Sequence, residues 1–231
     1  MRQKIGIIAA MPEEMEAIRK IMKEPKEKKE KHFICYEGMI GQTRCVLAKC
    51  GVGKVNAARI TQLLIDCYQV ECVINVGSAG AINDEIHYGD IVIGKYVVQH
   101  DFDLTAFGHE KGYISNIGVK LESDKQLIEK AQQAIEQIVQ EKYKIVIGTI
   151  ATGDIFCTSI KMKEKIRKKF EADCVEMEGA AIAQVCFLDE IPFLIIRSIS
   201  DSPNGKNEID FNQYLKMASG RCAEFLQEFL K

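Results

Sequence analysis

Three nearly unbroken apolar runs, "KIGIIAAM" at 4–11, "CVINVGSAGA" at 72–81 and "PFLIIRSIS" at 192–200, constrain this chain more than any other feature. A strand with one wet face alternates apolar and polar residues, whereas runs of this kind suit strands covered on both faces. Each run adjoins a segment with helical periodicity: "EEMEAIRKIM" follows the first, with Pro12 at a helix-start position, "KVNAARITQLLIDCY" precedes the second, and a helix from Gly179 precedes the third. "FICYEGMIGQTRCVLAKCGVG" predicts a hairpin turning at Gly41-Gln42. Further strands are expected at 90–99, 144–150 and 173–177, and helices at about 123–140, 160–170, 179–189 and 210–230. The alternation indicates an α/β fold, a three-layer αβα sandwich with a central mixed sheet. The mixed charge run "KEPKEKKEKH" at 23–32 reads as a solvated loop.

At 231 residues, with no repeat or linker, the expectation is one domain over 1–231. A net charge of -2 speaks against a nucleic-acid or membrane partner. The nine cysteines show no CxxC or Cys/His ligand spacing and read as reduced, mostly buried thiols. The apolar run at the N-terminus passes directly into Pro-Glu-Glu, and no stretch approaches 18 apolar residues, so a cytoplasmic location is expected. His87, His100 and His109 have no metal-ligand spacing, and no metal or cofactor is expected.

In "CVEMEGAAIAQVC", Glu176 and Glu178 stand against the start of a helix that should be buried. A buried carboxylate must be paired, protonated or used on a ligand. Ligands in open α/β sheets bind beyond the carboxyl ends of the strands. There the chain delivers Met11 and Glu14, "GSAG" with Ser78 and Gly80, "TGDIFC" with Phe156 and Cys157, the pair Glu176 and Glu178 around Met177, and "RSISD" with Arg197, Ser200 and Asp201. Each has a plainer reading. Glu14 can cap a helix, Asp201 can serve a turn, Phe156 can be core, and small residues suit any strand-to-helix turn. "GVGKVNAA" at 51–58 lacks the phosphate-loop spacing and carries Val55 where a hydroxyl is needed.

Taken in order, "IGIIAAMPEEME", "KCGVGKVNAA", "INVGSAGAI", "GDIVIG", "DLTAFG", "ATGDIF", "VEMEGAAIAQVC" and "IIRSISDSP" resemble the methylthioadenosine/S-adenosylhomocysteine nucleosidase family of the nucleoside phosphorylase superfamily, nearly end to end. The resemblance implies a nucleoside phosphorylase-like fold and hydrolysis of the N-glycosidic bond of 5'-methylthioadenosine, S-adenosylhomocysteine and 5'-deoxyadenosine, releasing adenine. Such a reaction needs an acid for the leaving purine and a base for water on the opposite face of the ribose. By motif, the resemblance implies Asp201 as the acid at adenine N7, oriented by Ser200, and Glu14 as the base. It implies Glu178 on the ribose hydroxyls beside the Met177 backbone, with Arg197 positioning the acids and Glu176 open between a substrate contact and a structural ion pair. Phe156 would stack on adenine with the Cys157 backbone at its edge, Ser78 and Gly80 would line the ribose and base, and Met11 and Val52 the 5' tail. Phe107, in "LTAFG", would come from a neighbouring subunit, implying a homodimer. The loop at 113–116 reads "YISN" and lacks a proline expected nearby.

A purine nucleoside phosphorylase of the same fold would need arginines for phosphate, and none stands among residues 11–14. A futalosine-type nucleosidase would differ in the tail it accepts. A non-catalytic nucleoside-binding protein would have no use for Glu14 and Asp201 together.

Overall fold

Among the described residues, backbone pairing turns the apolar runs into the centre of one mixed ten-stranded sheet. The structure is a computed structural model that describes residues 4–30, 33–138, 143–201 and 211–231. In chain order the elements are β1 (Lys4–Ala9), α1 (Pro12–Ile21), β2 (Lys23–Glu30), β3 (Phe33–Ile40), β4 (Thr43–Lys49), α2 (Lys54–Tyr68), β5 (Cys72–Ala81), β6 (Ile91–Gln99), β7 (Leu121–Glu122), α3 (Lys125–Gln137), β8 (Ile145–Thr152), α4 (Ile160–Phe170), β9 (Cys174–Glu176), α5 (Gly179–Leu188), β10 (Phe193–Asp201) and α6 (Phe211–Phe229).

Successive strand residues face opposite sides, and the two faces carry separate cores. Ile8, Val73 and Ile195 pack beneath α2 and α5 through Ile60, Leu64, Ile182 and Cys186. Their neighbours Ile7, Ile74 and Ile196 pack on the other face beneath α1, α3 and α6, through Ile18, Ala131, Phe225 and Phe229. Both faces being covered explains why these strands are apolar throughout. A smaller cluster seats α4 through Ile166 and Phe170 against Val98, Ala151 and Val175.

The position of β5 creates the site. Its first half pairs in parallel with β1, Ile5 to Ile8 opposite Cys72 to Asn75. Beyond that, Gly80 and Ala81 pair antiparallel with Val175 and Cys174 of β9. The other edge of β5 is held throughout by β10, from Phe193 opposite Val73 to Asp201 opposite Gly80. The edge that begins beside β1 therefore ends beside β9, and the sheet forks there. The strands β5, β10, β6, β8 and β9 pair in sequence and close a ring on one side of the fork.

Residues 23–30 correct an expectation: they form the edge strand β2, antiparallel to β3, rather than a loop, while 31–32 lie outside the described residues. An edge strand needs only one partner, so its charged side chains stay in water, and lysines on an open edge discourage pairing with other chains. Pro25 lies in the register shift between Lys23 and Lys26, where a missing N–H breaks no ladder bond. The hairpin turns at Gly41 as expected; its φ of +59° is left-handed, and a Cβ there would lie 2.5 Å from the Leu230 carbonyl oxygen.

Candidate active site

At the fork a cavity of about 300 Å³ opens between the end of β1, the second half of β5, β9, β10 and the loops before α2 and α4. Glu14, Met11, Val52, Ser78, Gly80, Phe156, Cys157, Glu176, Met177, Glu178, Arg197 and Ser200 all line it. The strand ends thus bring together twelve of the fourteen residues singled out in the sequence. The backbone of Asp201 ends β10 opposite Gly80, and its side chain lies outside the described residues. Phe107 is on a short 3-10 turn, Thr105–Phe107, is 79% exposed, and is not among the lining residues.

The inner end is organised by Arg197, only 1% exposed. Its Nη2 donates to Glu176 Oε2 and to Asn75 Oδ1 at 2.5 Å, and lies 3.8 Å from Glu178 Oε2. Asn75 is steadied by donating to the Ile8 carbonyl at 2.9 Å. Two negative charges close by, acting against the burial, raise the Arg197 pKa above its ordinary value. Gly77 makes room for this centre, since a Cβ there would come within 2.6 Å of Arg197 Nη1 and 2.9 Å of Glu14 Oε1.

The two glutamates of "VEMEG" have different surroundings. Glu176 accepts from Thr152 Oγ1 and Arg197, and from the backbone amides of Glu178 at 3.0 Å and Gly179 at 2.8 Å. It forms an ion pair with Arg197 and also ties down the first turn of α5, where Thr152 Oγ1 accepts from the Ala180 amide at 2.8 Å. Glu178 has one short contact, from the Gly53 amide at 2.9 Å. Burial first, then the charge of Glu176, push its pKa up to about 7, against the pull of Arg197. Of these two carboxylates Glu178 is the less satisfied, and so the one on which a ligand hydroxyl would gain more.

Glu14, 3% exposed, is both helix cap and cavity wall. Its Oε2 accepts from the Ala10 amide at 2.9 Å and the Met11 amide at 3.0 Å. Its Oε1 crosses to β5, accepting from the Ser78 amide at 3.0 Å and Ser78 Oγ at 3.3 Å. Glu14 can both cap α1 and line the cavity because the helix that it caps starts at the carboxyl end of β1. Ser200 Oγ donates to the Ala79 carbonyl at 3.3 Å, joining β10 to β5 beside the cavity.

The outer end is apolar and open, with Phe156 67% exposed and Val52 50% exposed. Sequence reasoning missed Ala10, Ala79, Ile155 and Val175, which also line the cavity, and the supporting Asn75, Thr152 and Gly53. The first four are small or aliphatic and carry no chemical signal. Asn75, a polar residue inside an otherwise apolar strand, was a signal that could have been used. Among the described residues, no group of three or more His, Cys, Asp or Glu is placed to hold a metal ion.

A family model described as the phosphorylase superfamily matches residues 4–231. The 5'-methylthioadenosine/S-adenosylhomocysteine nucleosidase of Staphylococcus aureus (strain bovine RF122 / ET3-1) is 40% identical over 216 residues, 93% of each chain. The crystal structure of the nucleosidase of that name from Neisseria meningitidis, in complex with methylthio-immucillin-A, superposes with a TM-score of 0.93 at 40% identity over 99% of both chains. Futalosine hydrolase of Helicobacter pylori strain 26695 superposes with a TM-score of 0.90 at 31% identity over 98% of this chain and 97% of that one.

Proposed function

We propose that this chain, which belongs to the phosphorylase superfamily and within it to the 5'-methylthioadenosine/S-adenosylhomocysteine nucleosidases, hydrolyses the N-glycosidic bond of those two nucleosides and releases adenine. The observation that carries the reading is the grouping of Glu14 and Glu178 around Arg197 at the inner end of a cavity whose outer end offers Phe156 and Val52.

In the proposed complex, adenine lies on Phe156 with its edge at the Cys157 backbone, and the ribose turns its hydroxyls to Glu178. Those hydroxyls replace the solvation Glu178 lacks, and its charge favours the cation that develops on the ribose as the glycosidic bond lengthens. A water held by Glu14 and Ser78 attacks the anomeric carbon while Glu14 takes its proton. Asp201, oriented by Ser200, protonates adenine N7 on the opposite side, so adenine leaves as a neutral base. Glu176 takes no part in the chemistry and holds Arg197 and α5 in place. Met11 and Val52 receive the 5' substituent; 5'-deoxyadenosine is a further substrate by the same contacts.

Phe107 reaches the tail of the substrate bound by a second copy, and the working unit is a homodimer. The exposed Val52, Val55, Ile155, Phe156 and Ile160 supply apolar residues for that contact. Nine free thiols suit a reducing compartment, and a cytoplasmic enzyme of one domain is the reading. No helix among the described residues is long and apolar enough to cross a membrane.

A phosphorylase would need cations free to hold a dianion under the ribose. Among the described residues Arg197 is the one cation lining the cavity, and it is engaged by Glu176 and Asn75. Incubation with methylthioadenosine in buffers with and without phosphate tests the reading: adenine and 5-methylthioribose are expected at equal rates in both. A sugar 1-phosphate, or turnover that stops without phosphate, would overturn it. Futalosine in a parallel incubation should be cleaved more slowly.

A further inference from the structure

Lys54, from the glycine-rich "GVGK" turn that has no phosphate-loop spacing, is committed to protein partners. Its Nζ pairs with Asp101 Oδ1 at 2.7 Å and donates to Gln99 Oε1 at 3.1 Å. Asp101 has a second contact: its Oδ2 accepts from the Asp154 backbone amide at 2.9 Å. Asp154 in turn accepts the Lys54 backbone amide on Oδ1 at 2.8 Å. The result is a closed loop of hydrogen bonds joining three separate segments, and Gln99 extends it to α5 by donating to Gln184 Oε1 at 2.6 Å. Both charged side chains are less than one fifth exposed, so the pair is shielded more than a surface ion pair. Burial opposes the charge on Asp101, yet the Lys54 ammonium and the Asp154 amide hold its carboxyl below the usual range.

The joined segments carry the two ends of the cavity. One residue before Lys54, the Gly53 amide donates to Glu178. Gly53 has a φ of +100°, and a Cβ there would lie 3.1 Å from Asp154 Oδ1, so the close approach favours glycine. One and two residues after Asp154 come Ile155 and Phe156, on the cavity wall. We infer that Asp101, neutralised by Lys54, is a positioning residue that sets the base-stacking loop and the Gly53 amide in one fixed relation, so that the base and ribose contacts form together. Asp101 does not line the cavity, so it acts only through these loops. The inference rests on the proposal that Phe156 receives the base and Glu178 the ribose.

The test compares Asp101→Ala, the isosteric Asp101→Asn, and Lys54→Met. Unfolding midpoints, kcat and KM for methylthioadenosine, and the dissociation constant of adenine are measured for each. Asp101→Ala should raise both KM and the adenine dissociation constant about tenfold, the loss of roughly one good contact's worth of alignment, with kcat within about threefold. Asp101→Asn, which keeps an acceptor for the Asp154 amide, should recover part of the loss. Adding Lys54→Met to Asp101→Ala should cost little more, because the two act as a unit. Adenine binding within twofold of the parent in a folded Asp101→Ala protein overturns the inference. If Glu178→Gln leaves KM for methylthioadenosine unchanged while Asp101→Ala still weakens adenine, the ribose assignment fails and the positioning role stands.

Discussion

The two ends of the cavity are built on different principles. At the inner end Glu14, Glu176, Glu178 and Arg197 are all less than one tenth exposed, and Glu14, Glu176 and Arg197 each have several hydrogen bonds from within the chain. At the outer end Phe156, Val52 and Ile155 are exposed, on loops held by the Asp101 contacts. Charged groups must be fixed and desolvated to act strongly on a reacting bond, so the chain builds that region before any ligand arrives. Apolar contacts with a base or a tail are non-directional and tolerate a surface completed by the ligand. The inner end should therefore control kcat and stability, and the outer end KM and substrate choice.

The largest expected effect tests the inner end. Asp201→Asn should lower kcat by on the order of 10²–10⁴-fold, the range for general acid catalysis, with an unchanged unfolding midpoint. Activity within threefold of the parent would remove Asp201 as the acid. Glu14→Gln should fall in a similar range, about 10²-fold or more in kcat, while still binding methylthioadenosine in single-turnover measurements. Normal turnover with lost binding would move Glu14 from the chemistry to substrate holding.

Arg197→Met should cost stability rather than chemistry alone. It leaves Glu176 and Glu178 buried without their cation, and breaking such a pair costs about 3–5 kcal/mol, to be read from urea unfolding. A loss below about 1 kcal/mol would place the pair with weak surface bridges and weaken the contrast between the two ends.

Glu178→Gln makes a smaller, pH-dependent change. The folded carboxyl titrates at about 7 against an ordinary 4.5, so folding takes up a proton between those values. The parent should lose stability as pH rises through that window, with no further loss above it, and below about 4.5 the carboxyl is protonated in both states. Gln cannot ionise, so the stability difference in its favour should grow across the window to at most about 3 kcal/mol. A difference independent of pH would mean that Glu178 is not the strained carboxylate. If ribose hydroxyls meet Glu178 as proposed, they stabilise its charged form, and affinity for methylthioadenosine should rise as the pH rises towards 7.

The smallest effect belongs to the outer end. Phe107→Ala should raise KM for methylthioadenosine about tenfold, roughly one lost apolar contact, and leave adenosine almost unaffected. A fully active monomer in sedimentation and kinetic measurements would show that the outer end is complete in one chain.

Much of the architecture was legible because it depends on local pattern. Continuous apolar runs and 3.6-residue periodicity are properties of neighbouring residues, and α2, α4, α5 and β6 lie within a residue or two of their expected bounds. Twelve of the residues lining the cavity were legible from their order, since strand ends in such a sheet collect on one side. The strand β2 was misread for a complementary reason: its partner β3 supplies the pairing, which its own charged residues do not signal.

Tertiary structure alone decided what distinguishes Glu176 from Glu178. The two stand two residues apart in one short motif, and nothing local says which is satisfied. Thr152, Arg197 and the first amides of α5 converge on the first, whereas the second meets the Gly53 amide and little else. Only the fork of the sheet, where β5 leaves β1 and takes up β9, brings those partners together. The same holds for Lys54, whose partner Asp101 is distant in the chain and whose charge is offset across three segments. Sequence specified which groups were present and on which elements; burial and distance, which set the energy of a charge, exist only after the elements have packed.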